Sequence, residues 1–453
     1  MTHTQLAAQQ ALAILEHATG VVIPVYFHAD TDPAFGTTLL RDTVHMFARE
    51  VADPQTICLA VDGQGLPVTI ASRVAAEYGT RLVHNERNQG KLAAVRNGMR
   101  ELLTQTDVRY LAAVDQDGDH FANELLNFVR CAEHVTAALP TDQVIVLGNR
   151  LSRHRPLGFL RGEQEELADR ILLDALQYAA VVNQQPLPLQ FATTIDDVPD
   201  FHSGYKFFSR HTAEAVFQTE PNLAGCDETA YYRHACEAVM TVEAMQSGAP
   251  LAVVNRRTYD EQPISLFARL DRSLLAANMI IWPCKRLGVP GHFVAQWLTN
   301  HLPRLLLGTL VPQGRDELLA IRDYVLKAFD LPFPIADQSE IGDGRQVPQR
   351  GPETFDRCVR QRRRGAVEDV VEEEQSNRLR NAHRGIHAHA RHREWNRDRD
   401  HNQRAERVGH QAVEAHGIRR KLGAVLKLEV VSFEDGTRWQ NGRTVTDASV
   451  GKN

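Results

Sequence analysis

The sequence predicts an α/β protein whose mostly parallel, mixed sheet is flanked by helices. Two observations carry this. Short apolar runs alternate four times with segments at helical spacing. The runs are continuous rather than alternating in polarity, the pattern of strands covered on both faces. A third observation places the chemistry. The run Leu111 to Val114 stops abruptly at Asp115-Gln116-Asp117-Gly118-Asp119, and open α/β sheets bind ligands beyond the carboxyl ends of their strands.

In chain order, residues 4–18 are rich in Ala, Leu and Gln and predict a helix. Gly20 closes it, and 21–26 follow as a buried strand with Pro24 near its carboxyl end, where a missing N–H is tolerated. Helices are expected over 37–51, 68–78 and 91–103, each with apolar residues recurring at three and four. Between them lie strands over 57–61, closed by Asp62-Gly63, and over 81–83. A helix over 121–139, a strand over 144–148, a basic loop over 150–161 and a long helix over 161–182 come next. A helix opens near Asp227, and 251–255 reads as a closing strand before a polar loop over 256–262.

The chain has 453 residues, enough for more than one domain. Hydrophobic residues make up 43% and charged residues 24%, so most of it can bury a core. A net charge of -6 argues against nucleic acid as a partner of the whole chain. The six cysteines form no CxxC pair, which excludes a zinc ribbon and suits a reducing, cytoplasmic setting. No signal peptide and no membrane span are read.

Acids spaced as in 115–119 repel one another and ionise together most easily around a cation. Asp and Gly also suit turns, so these residues alone leave metal site and turn both open. An EF-hand is excluded, because the sixth and twelfth positions from Asp115 hold His120 and Leu126 instead of Gly and Glu. Neither GxGxxG after the first strand nor GxxxxGK[ST] is present, which disfavours a dinucleotide fold and a P-loop.

The series 21–26, Val61-Asp62-Gly63, 85–91 with Ala94, Asn97 and Gly98, then Asp115-Gln116-Asp117, resembles family-two glycosyltransferases of the GT-A fold. The resemblance covers about residues 20 to 250. It implies an enzyme moving a sugar from a UDP- or GDP-linked nucleotide-diphospho-sugar to an acceptor hydroxyl, with Mn²⁺ or Mg²⁺. It gives Pro24 and Tyr26 to the donor site, Asp62 to the base, Lys91 to a phosphate and Asp115 to the sugar. Asp117 is the expected metal ligand, with Asp119 and His202 as further ones. His202-Ser203-Gly204 falls where the family borders its acceptor pocket. Asp227, with Glu228 behind it, aligns with the base of inverting members, although Cys226 stands where the family carries Glu. Asp227 also reads as a helix N-cap and Lys91 as a solvated helix opener. The processive synthases' Gln-x-x-Arg-Trp is absent, pointing to non-processive transfer. Two alternatives stand: a catalytically silent nucleotide-sugar binding protein, and a sugar-phosphate nucleotidyltransferase, whose Gly-rich signature is missing after Val25.

The expected domains are a catalytic domain over 1–262, with a donor half at 20–150 and an acceptor half at 151–262, then a helical extension over 263–336. Residues 265–310 read as several short helices broken by prolines, packed on the catalytic domain or in peripheral contact with a membrane. A final helix is expected over 315–329. Residues 337–453 form a tail poor in apolar residues and crowded with Arg and His, expected to be disordered or to follow a change of reading frame.

Overall fold

The computed structural model describes residues 3–332, apart from 193–197, 224, 260–270 and 309–311, together with 430–432, 437–440 and 443–446. The chain divides into units Met1–Gln338 and Ser339–Asn453. The first unit opens with α1 (His3–Ala18), β1 (Thr19–Val25), α2 (Pro33–Ala48), β2 (Ile57–Asp62), α3 (Leu66–Tyr78), β3 (Arg81–Asn85), α4 (Lys91–Leu103), β4 (Tyr110–Ala113) and α5 (Leu125–Ala138). It continues with β5 (Ile145–Arg150), the single turn α6 (His154–Leu157), α7 (Phe159–Val182), β6 (Lys206–Ser209), α8 (Arg210–Phe217), α9 (Cys236–Gln246) and β7 (Leu251–Arg256). Three helices follow: α10 (Arg272–Arg286), α11 (Gly291–Gly308) and α12 (Pro312–Ala328).

The seven strands make one sheet in the order β3-β2-β1-β4-β6-β5-β7, in which only β6 runs antiparallel to its neighbours. Its side chains alternate between two cores. Val21, Ile23, Leu59, Ala112 and Val146 face the layer of α1, α2, α3 and α5. Val22, Ala60, Leu111, Ala113 and Leu147 face α4, α8 and α9. Each fully buried Val, Leu, Ile or Phe contributes about 1.5–3 kcal/mol by leaving water, which is why β1, β2 and β4 are apolar between their ends. Pro24 pairs only toward β2, because the β4 ladder stops opposite Val22, so its missing N–H leaves no gap.

Two expectations change. The helix predicted from 37 begins at Pro33, where Asp32 caps the N–H groups of Ala34 and Phe35 at 2.7 and 2.9 Å. The described part of 265–310 forms two long helices instead of several short ones, with Pro283 and Pro303 inside them. Burial of Ile280, Cys284, Leu298 and Leu302 against α7 offsets the backbone bond each proline removes. No described helix is long and apolar enough to cross a membrane.

In the second unit β8 (Val430–Ser432), β9 (Thr437–Gln440) and β10 (Arg443–Thr446) form an antiparallel sheet in the order β10-β9-β8. The Arg- and His-rich stretch of the expected tail lies outside the described residues.

Helix α4 crosses the sheet at Gly98 with no room to spare. A Cβ there would lie 2.5 Å from Val22 Cγ1 and 3.1 Å from Ala60 Cβ. Gly98→Ala gains helix propensity of up to about 1 kcal/mol, yet overpacking costs about 1–3 kcal/mol. A net lowering of the urea unfolding midpoint is the expected result.

Candidate functional site

The loops after β1, β2 and β4 meet at one rim of the sheet. There they enclose a cavity of about 530 Å³ with the turns before α4 and α9 and with β5 and β7. It is lined by Pro24, Tyr26, Asp62, Lys91, Asp115, Asp117, Asp119 and His202, so the predicted donor and metal residues converge. Asp227 and Glu228 do not line it. Both are exposed, and Asp227 Oδ1 accepts from the Ala230 N–H at 2.7 Å, which is the N-cap geometry. The carboxylate that the same region sends into the cavity is Glu237, in the first turn of α9.

The rim residues hold one another in place. Asp62 accepts from the N–H groups of Gln89 at 3.0 Å and Gly90 at 2.7 Å, so it fixes the turn that starts α4. Gly90 has φ of +125°, and a Cβ there would meet the Tyr232 carbonyl at 2.7 Å. Gln116 bonds the backbone just after β1: its Oε1 accepts from Tyr26 N–H at 2.9 Å and its Nε2 donates to the Tyr26 carbonyl. His120 is buried, accepts from the Asp115 N–H at 2.8 Å and stacks on Tyr205. Gly204 lies so near Asp115 that a Cβ would meet Oδ2 at 2.5 Å.

Most of the lining charges are paired. Lys91 Nζ lies 2.6 Å from Asp115 and 2.8 Å from Glu237. Burial alone would lower its ammonium, but these two carboxylates hold it well above the usual lysine range. Burial opposes ionisation of Asp115, and Lys91 overrides it to hold the carboxyl well below the usual range. Asp119 accepts from the Tyr259 N–H at 2.8 Å and faces Arg256 Nη1 at 3.4 Å. Asp117 differs. Its Oδ1 accepts only the Asp119 N–H at 3.2 Å, and its Oδ2 has no partner among the described residues. Burial first, and then the Asp115 charge, push its carboxyl up to about 7.

Behind the cavity a buried network reaches back to α7. Arg150 grips Asp200 through Nε and Nη2, both at 2.6 Å, and Glu165 at 2.6 Å. Arg153 meets Asp169 at 2.9 Å, and Asp169 meets His202 Nδ1 at 2.7 Å. The basic segment expected as a loop thus ends a strand and anchors this network. His202 Nε2 is buried and has no partner. Among the described residues, one set of three His, Cys, Asp or Glu groups brings its ligand atoms within 4.8 Å, namely His154, Glu163 and Glu166. Glu166 Oε1 there already accepts from Arg170 and Arg304. Asp117, Asp119 and His202 do not gather in that way.

Glu237 and His234 are among the lining residues to which the sequence assigns no role, and Arg256 is among those it places in a polar loop. Glu237 lies ten residues beyond the expected base. His234 sits in the π-turn Ala230–His234, its Nδ1 2.8 Å from Asn278, with burial holding the imidazole below its usual range. Arg256 ends β7, where it was read as loop. The one sequence signal for any of them is Glu237's place in the first turn of a helix, which thousands of structural glutamates share.

Fold and cavity together define an α/β protein with an acid-lined ligand site at the carboxyl edge of its sheet. No protein-family model and no curated protein matches the chain. Solved structures similar to it include a mycobacterial protein, at 19% identity and TM-score 0.36, over 63% of this chain and 79% of that one. Glucosyl-3-phosphoglycerate synthase from Mycobacterium tuberculosis, solved with Mg²⁺ and UDP, is similar at 17% and 0.37, over 63% and 84%. S. aureus TarS 1-349 is similar at 12% and 0.35, over 73% and 93%. All three TM-scores are below 0.5.

Asp200 neutralises Arg150 where both side chains are buried. Asp200→Asn leaves that guanidinium short of a charge partner and is expected to cost about 3–5 kcal/mol at pH 7, read as a lower urea midpoint. Arg150 overrides the effect of burial and holds the Asp200 carboxyl below its usual range. Its contribution is therefore complete above about pH 4, the unfolded value, and is lost as pH falls toward the folded one. The gap between wild type and variant should narrow over that acidic window.

Proposed function

We propose that this protein is a glycosyltransferase that moves a sugar from a UDP- or GDP-linked nucleotide-diphospho-sugar to an acceptor hydroxyl, with inversion and one sugar at a time. The observation that carries the reading is Asp117. It is a buried carboxylate with one unpartnered oxygen, at the carboxyl edge of the sheet, in a cavity large enough for a nucleotide sugar. The cavity also holds Pro24, Tyr26 and Asp62, which the family resemblance gives to the nucleotide.

The donor set suits a hard divalent cation. Mg²⁺ takes one or two carboxylates and fills its remaining positions with phosphate oxygens and water. Asp117 would hold it. Asp119 fits less well, because Arg256 and the Tyr259 N–H already occupy its oxygens. When bound, Mn²⁺ or Mg²⁺ supplies positive charge that stabilises a departing diphosphate. The chain's own residues do the positioning. Lys91 keeps Asp115 and Glu237 ionised and apart from the donor's charge, Gln116 ties the acid loop to β1, and Arg256 braces Asp119.

The test is calorimetric titration of UDP-glucose and GDP-mannose, with and without Mn²⁺, followed by assay for free UDP or GDP. Asp117→Ala is expected to lower Mn²⁺-dependent donor affinity at least tenfold while leaving the melting temperature near wild type. Unchanged affinity in that variant would defeat the reading. Binding without nucleotide release would favour the silent binding protein instead.

Asp227 provides a separate check. Asn caps a helix about as well as Asp, so Asp227→Asn should leave both stability and nucleotide release unchanged if the cap is its whole role. A folded variant that has lost release would return the base to Asp227, as the resemblance expects.

A further inference from the structure

We propose that His202, oriented by Asp169, is the group that takes the proton from the attacking hydroxyl; this rests on the transfer reading above. The cavity's carboxylates are otherwise engaged. Asp62 holds the Gln89 and Gly90 N–H groups, and Asp119 holds Tyr259 N–H and Arg256. Asp115 and Glu237 share Lys91, and Glu165 serves Arg150 and Arg161. Asp117 keeps one open oxygen but is the carboxylate suited to the cation. Asp227 and Glu228 are exposed and outside the lining.

His202 lines the cavity, and its side chain is 2% exposed. Asp169 is fully buried on α7 and lies 2.7 Å from Nδ1. A carboxylate at that distance requires Nδ1 to carry the hydrogen, so Nε2 presents a lone pair. That Nε2 is buried and without a partner. A polar atom left unpaired in such surroundings is destabilising, so the site is arranged for a group that arrives later. The pattern is a base, held in one tautomer by a carboxylate, with its second nitrogen free. His202, Asp117 and Asp119 do not together bring their ligand atoms within 4.8 Å of one another, and Mn²⁺ affinity in the variant below separates a ligand from a base. Arg153 Nε lies 2.9 Å from Asp169 Oδ2, an ion pair without hydrogen-bond geometry.

In the step, the hydroxyl proton passes to His202 Nε2 as the hydroxyl oxygen bonds to the anomeric carbon. The bond from that carbon to the phosphate oxygen breaks, and its electron pair leaves with the nucleoside diphosphate. Asp169 balances the imidazolium until the proton passes to water. Water itself can be the attacking hydroxyl, which makes donor hydrolysis a sufficient probe.

Two measurements on the full chain decide the matter. Nitrogen-15 NMR of the imidazoles should show His202 neutral with Nδ1 protonated; protonation at Nε2 instead would overturn the proposal. Release of UDP from UDP-glucose and of GDP from GDP-mannose, with Mn²⁺, is then compared in wild type and His202→Asn, whose amide can still donate to Asp169. The kcat should fall about 100-fold or more, the low end of the roughly 10²–10⁴ that general bases contribute. KM and Mn²⁺ affinity should stay within twofold. Asp169→Asn should shift the tautomer and lower kcat with KM unchanged, as a positioning residue would. Unchanged kcat in His202→Asn, or Mn²⁺ affinity falling in step with it, would overturn the proposal. Wild type that binds donor without releasing nucleotide overturns the transferase reading together with this role, whereas an active wild type matched by His202→Asn overturns the proton-acceptor role alone. Wild type that binds neither donor overturns the transferase reading itself.

Discussion

The rim of this sheet is governed by charge neutralisation. Six carboxylates and five lysine or arginine side chains line one cavity. Carboxylates so close in low dielectric cannot all stay ionised unless opposite charge lies between them. Lys91 stands between Asp115 and Glu237, Arg150 between Asp200 and Glu165, and Arg256 beside Asp119. Each of these partners comes from an element distant in sequence. The pairs therefore tie α4, α9 and β7 to the acid loop, and β5 to α7. Removing one partner strands the other, so the arrangement is costly to alter piecemeal.

Two groups escape this pairing, and they are the ones with chemistry to offer. Asp117 keeps an open oxygen and His202 an open nitrogen. One is hard and anionic, suited to a divalent cation near phosphate. The other is an imidazole nitrogen whose ring Asp169 holds in one orientation. The division agrees with the demands of glycosyl transfer, in which charge develops on the leaving group while a proton must leave the nucleophile. The helices after β7 support this from behind. They pack on α7, the helix that carries Asp169, and give Leu275 and Met279 to the cavity wall.

Much of the sheet was legible because buried parallel strands leave an unmistakable mark: continuous apolar runs ended by polar residues. Pro24, Asp62 and Asp115 to Asp119 could be placed at strand ends for that reason. The helices after residue 270 were read too short, since prolines at 283 and 303 suggested breaks that apolar packing overrides. Asp227 drew attention as an aligned acid, while Glu237 drew none. The π-turn at Ala230–His234 rotates the chain between them, so that Glu237 faces inward and Asp227 caps from outside. No periodic pattern announces a one-residue change in helical winding.

The linear sequence by itself determined the layering, the strand order's local pieces and the position of the acid loop. These follow from short-range periodicity and from the preference of Asp and Gly for strand ends. Which acids are free and which are neutralised was decided only in three dimensions. Lys91 meets Glu237 across 146 residues, and Arg256 meets Asp119 across 137. A carboxylate's chemistry is set by the charges and donors around it, and folding alone brings those together.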